Sequence, residues 1–87
     1  MNSIVTVDFM SCFRRLTADK RELARRAYRL WRTNPSHPGL RFKAIQGQPD
    51  LYSVRVGRGW RALGRLDGET MIWFWIGSHA EYDDLIA

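Results

Sequence analysis

Cysteine is almost missing from this chain. Cys12 stands alone, which excludes an internal disulfide and a zinc site built on thiolates. A single thiol beside Phe9 and Phe13 reads as a core residue and fits a reducing compartment, so the cytoplasm is the expected location. No stretch approaches the roughly 18 apolar residues of a membrane span, and Met1 to Asp8 lacks a basic leader; neither export nor a membrane partner is expected. Histidine is limited to His37 and His79 and the acids are scattered, so no metal-ligand spacing is present and no metal or other cofactor is expected. Gly57-Arg58-Gly59 lacks the surrounding pattern of a phosphate loop, which argues against a nucleoside triphosphate site.

Basic residues are absent from the last quarter of the chain and crowded into the rest. All 14 Lys and Arg lie at or before Arg65 with four acids among them, so residues 1–66 carry +10 and the remaining 21 carry −5. Twelve of the 14 are Arg, a choice that favours planar, bidentate contacts to phosphate or carboxylate. An anionic partner is expected, either nucleic acid or an acidic protein segment, with simple solubilising charge as the alternative reading. With 87 residues, 45% of them hydrophobic and 13% aromatic, the chain has material for one domain and one small core.

Ser3 to Val7 is β-branched and reads as a first strand ending at Asp8, a good helix N-cap. A short helix carries Phe9, Phe13 and Leu16 on one face, and Thr17 can cap a longer one from Ala18 to Arg32. There Leu23, Ala27, Leu30 and Trp31 form an apolar stripe beside a basic one of Arg21, Arg25, Arg29 and Arg32. The basic stripe is open to two readings, a solvated face tied by Glu22 to Arg26 or a phosphate rail. Asn34 to Gly39 breaks the helix, with His37 as a loop residue. Strands follow at Arg41 to Gln46, Leu51 to Val56, Trp60 to Leu66 and Thr70 to Ile76.

Asp67-Gly68 predicts a two-residue hairpin that pairs Leu66 with Glu69, Gly64 with Met71, Ala62 with Trp73 and Trp60 with Trp75. That register puts Trp60, Ala62, Trp73 and Trp75 on one packed face. It lets Lys43, Arg55, Arg61 and Arg65 gather on the other. Ser78 and Glu81 have capping-box spacing and predict a short C-terminal helix with His79 at its start.

These residues suit phosphodiester chemistry. RNA is cut without metal when its 2′-hydroxyl attacks the adjacent phosphate, which calls for a base, cations for the anionic transition state and an acid for the leaving oxygen. His79 is the candidate for proton transfer, with a reference pKa near neutrality. Arg61 and Arg55 are candidates for the phosphate, and Tyr82 for stacking on a base or passing a proton, with packing as its alternative. Lys43, Arg58 and Arg65 are candidate substrate-binding residues.

The order of elements, together with Asn34-Pro35, Leu40 to Lys43, Leu51 to Arg55, Gly59-Trp60-Arg61 and Ile76 to Tyr82, resembles the RelE/ParE toxin superfamily of bacterial type II toxin–antitoxin systems. The resemblance implies an α+β fold, a strand and helix pair packed on a mainly antiparallel sheet with a short C-terminal helix. It also implies a cognate antitoxin that wraps the toxin and, for the RelE branch, cleavage of mRNA on the ribosome. Arg61 matches the arginine of the RelE-type Gly-aromatic-Arg segment, Arg55 a basic residue of the preceding strand, and His79 a basic position after the last strand. Ser53 departs from the pattern, where RelE has a second strand lysine, and Tyr82 comes earlier than the RelE tyrosine. The resemblance leaves three activities open: an endoribonuclease (mRNA interferase), a ParE-like inhibitor of DNA gyrase without enzymatic activity, and a non-toxic antitoxin-binding member of the fold.

Overall fold

The computed structural model describes residues 1–87 throughout. Strand β1 (Asn2–Val5) leads into helices α1 (Val7–Arg14) and α2 (Ala18–Thr33). A 3-10 turn at Pro38–Leu40 precedes a meander of β2 (Lys43–Ile45), β3 (Gln48–Arg55), β4 (Trp60–Asp67) and β5 (Thr70–Ser78), and α3 (His79–Ile86) closes the chain. The strands form one sheet in the order β1-β5-β4-β3-β2, antiparallel except where β1 lies parallel to β5. The connection between these parallel strands runs through both N-terminal helices and then through β2, β3 and β4, so the last strand returns beside the first.

Local chemistry sets several boundaries away from the predicted ones. The first strand stops at Val5 because Thr6, not Asp8, is the N-cap of α1; its side chain accepts from Phe9 N–H at 3.0 Å, and Asp8 lies in the first turn. Thr17 has the extended backbone of an N-cap, but its hydroxyl donates to Asp19 instead of bonding the helix. Strand β2 begins at Lys43 rather than Arg41, since Arg41 is left-handed (φ 46°) where it closes the 3-10 turn. His37 caps that turn, its Nδ1 accepting from Gly39 N–H at 3.0 Å.

The core lies between α1, α2 and one sheet face. Trp31 of α2 is its centre, edge-on to Trp73 at 5.2 Å and to Phe42 at 5.8 Å. Val54, Val56, Ala62, Met71 and Ile76 supply the sheet side of the same cluster. Between the helices and the sheet an apolar cleft of about 250 Å³ remains, walled by residues such as Phe9, Phe13 and Trp73. The expected stripe of Leu23, Ala27 and Leu30 packs against this core, while Ala24 is the more deeply buried position beside Trp31.

The β4–β5 register differs from the predicted one. Asp67 pairs with Thr70, leaving Gly68-Glu69 as the loop; Gly68 has φ +60° and Glu69 is not left-handed, which matches a turn with glycine at its first position. Leu66 therefore pairs with Met71 and Gly64 with Trp73. A bulge then skips Phe74, so that Leu63 pairs with Trp75, Ala62 with Ile76, Arg61 with Gly77 and Trp60 with Ser78. One extra residue reverses the alternation, and Trp75 leaves the face of Trp73 to join Leu63, Arg61 and Gly77 on the opposite side.

Candidate functional site

The sheet face away from α1 and α2 collects the basic residues. Lys43 pairs with Ser53 and Ser53 with Leu63, Leu51 pairs with Arg65, and Arg55 pairs with Arg61. Period-two alternation puts all of these on one side, so the expected gathering of Lys43, Arg55, Arg61 and Arg65 is present. The bulge leaves it intact because the extra residue lies in β5, opposite the Leu63–Gly64 step, while the β3–β4 pairing runs regularly from Arg65 to Arg61. Arg58 stands exposed in the turn between β3 and β4 at one end of this face.

Arg61 is not an open surface cation. It is 8% exposed; Nη2 donates to Ser53 Oγ at 2.8 Å, and the guanidinium lies 5.0 Å from the Tyr82 ring centroid. Its Nε–H is buried without a partner in the chain. Ser53 is wholly buried, and Tyr82 is the buried residue of α3. The tyrosine that sequence offered for stacking on a nucleobase thus has its ring on an arginine. Ser53, which sequence reasoning marked as a departure, is that arginine's hydrogen-bonding partner.

Helix α3 is fixed at its start by three devices. Ser78 Oγ accepts from Glu81 N–H at 3.2 Å, and Glu81 Oε1 accepts from Ser78 N–H at 3.0 Å, completing the expected capping box. The hydrogen bonds from the Ser78 backbone and then its hydroxyl hold the Glu81 carboxyl below its ordinary value, with Arg15 adding a weaker pull. His79 N–H donates to Gly59 O at 2.8 Å, which ties the helix to the turn that carries Arg58. His79 itself is exposed, with its ring edge-on to Tyr82 at 5.9 Å and Nδ1 3.2 Å from Asp83 Oδ2. Asp83 had no role in the sequence reading, although the four-residue spacing from His79 on a predicted helix was a legible signal.

The two basic regions differ in how they are compensated. On α2, Glu22 pairs with Arg25, Arg26 and Arg29 at 3.4 to 3.9 Å, and Arg32 bonds the Tyr28 hydroxyl. Lys43, Arg55, Arg58, Arg61 and Arg65 take part in none of the ion pairs within the chain. Arg55 and Arg61 lie directly opposite each other, an arrangement of like charges that costs stability unless an anion or a ring offsets it.

The model of the ParE-like toxin domain family matches residues 19–84. The chain belongs to that family. Solved structures agree on the fold. The RelB–RelE antitoxin–toxin complex of Methanococcus jannaschii is 18% identical, with 97% of this chain and 99% of that one covered and a TM-score of 0.76. The YoeB/ParE toxin of Agrobacterium tumefaciens is 16% identical over 91% and 99% of the two chains, with a TM-score of 0.71. The isolated E. coli RelE toxin is 16% identical over 99% and 98%, with a TM-score of 0.67. A search of curated proteins gives no significant match.

Proposed function

We propose that this ParE-like chain is a toxin that acts as a metal-independent endoribonuclease on translated mRNA. One observation carries the reading: five cations on one sheet face and its end turn lack any carboxylate partner, and His79 stands beside them on a pinned helix start. Such a surface holds a polyanion, and RNA brings its own nucleophile. In the proposed step the 2′-hydroxyl proton passes to His79, the O2′–P bond forms and the P–O5′ bond breaks. The leaving 5′-oxygen takes a proton from water, which leaves a 2′,3′-cyclic phosphate and a 5′-hydroxyl.

Arg55 and Arg61 oppose the charge that builds on phosphorus, with Tyr82 and Ser53 holding Arg61 in place. Lys43, Arg58 and Arg65 extend the phosphate track. The antitoxin is an acidic or amphipathic segment that covers this +10 body and competes with RNA for it. On this reading the ribosome delivers the mRNA to the basic face, and none of the proposed site residues lines the apolar cleft between the helices and the sheet.

A second reading starts from the match to a ParE-like toxin domain: the resemblance to ParE implies a toxin that inhibits DNA gyrase by surface contact. The arginines of α2 would then matter more than His79. Induced expression with primer-extension mapping of transcripts, run beside a supercoiling assay, separates the two. Cut transcripts with normal supercoiling support the nuclease, and inhibited supercoiling with intact transcripts supports the gyrase reading.

A further inference from the structure

We infer that Asp83 is a positioning residue for His79, its carboxylate accepting the Nδ1 hydrogen so that Nε2 turns its lone pair toward the RNA. This rests on the nuclease reading and specifies which ring nitrogen reacts. A neutral imidazole in water carries its proton mainly on Nε2 and would meet the 2′-hydroxyl with a donor rather than a base. A carboxylate on Nδ1 reverses that preference.

The geometry is specific. His79 and Asp83 are one turn apart on α3, with Nδ1 and Oδ2 at 3.2 Å, and this is the only hydrogen bond the His79 ring makes within the chain. The competing acid, Glu81, is occupied by the Ser78 backbone and hydroxyl at 3.0 and 2.9 Å. The Tyr82 ring stands edge-on as a second wall, itself fixed by Arg61, while the His79 backbone is tied to Gly59. Asp83 thus holds the ring by Nδ1, while the Tyr82 ring beside it carries Arg61.

The test reads the tautomer directly. Long-range ¹H–¹⁵N correlation on the labelled, full-length protein, at a mildly alkaline pH where imidazole is neutral, gives the protonated nitrogen of His79. The native protein is expected to carry the proton on Nδ1, Asp83→Ala on Nε2, and Asp83→Asn on Nδ1 again because the amide oxygen still accepts. In cleavage assays Asp83→Ala is expected to lower kcat about tenfold with KM unchanged, and Asp83→Asn to recover most of it. Because Asp83 is exposed, an unchanged amide spectrum away from α3 verifies the fold of both variants. The same tautomer in the native protein and Asp83→Ala overturns the proposal, as does an unchanged kcat in a protein that cuts RNA. A tautomer switch in a protein that never cuts RNA preserves the hold of Asp83 on His79 and overturns the nuclease reading instead.

Discussion

Arg61 shows how one residue joins stability to function. A buried guanidinium needs its hydrogen bonds, and Ser53 is the side chain that supplies one at 2.8 Å. Ser53→Ala leaves that charge short of a partner and is expected to lower the unfolding free energy by about 1–3 kcal/mol, read from urea denaturation. Gly64 makes a complementary point on the other face. A Cβ there would come within 2.7 Å of Met71 Sδ and 2.8 Å of Trp73 Cε3, so Gly64→Ala overpacks the core and is expected to cost about 1–3 kcal/mol in the same experiment. Sequence anticipated that Gly64 and Ala62 must be small because large residues oppose them. Met71 does lie against Gly64, but the paired residue is Trp73, and Ala62 pairs with Ile76 rather than Trp73.

Among the elements, order and type were legible and register was not. Periodicity and turn residues sufficed for the helix pair, the meander and the capped last helix. Two backbone events decided the register instead: glycine at the first rather than the second turn position, and a bulge at Phe74. Neither leaves a pattern of polar and apolar residues, so period-two reasoning had nothing to detect. The basic cluster survived because Arg55, Arg61 and Arg65 belong to β3 and β4, whose alternation is regular, whereas Trp75 lies past the bulge and changed sides.

Helix α3 carries a pH prediction. The folded Glu81 carboxyl is held below its unfolded value, so its contribution is fully present above the ordinary glutamate range, about pH 4.3, and is lost as pH falls through the lowered folded value. Acidification below about pH 4 should therefore loosen the start of α3. The exchange protection of the His79 amide, relative to its intrinsic rate, is expected to fall there in the native protein, while in Glu81→Gln, which lacks the carboxylate, protection should be nearly insensitive to pH over the same window. A native protein whose His79 exchange protection is unchanged through that window contradicts this account of the cap.

At the scale of the molecule, charge is both segregated and selectively compensated. Residues 1–66 hold +10, and while Glu22 ties up three arginines on α2, Lys43, Arg55, Arg58, Arg61 and Arg65 on the sheet face and its end turn have no carboxylate partner. RNA affinity should fall with salt, each phosphate contact contributing about 0.7 to the logarithmic slope for a single strand. Arg65→Gln is expected to reduce the slope by about that much, and Arg26→Gln on α2 to leave it unchanged. Equal effects from both variants would mean that binding tracks net charge and not the sheet face.

The most direct measurement is cleavage of ribosome-bound mRNA by purified protein in the presence of a metal chelator, with the ends of the products identified. The proposed chemistry predicts 2′,3′-cyclic phosphate and 5′-hydroxyl ends, with cleavage by His79→Ala reduced at least about 100-fold in a variant that remains folded. Undiminished cleavage by His79→Ala, or cleavage that stops when metal is removed, contradicts it.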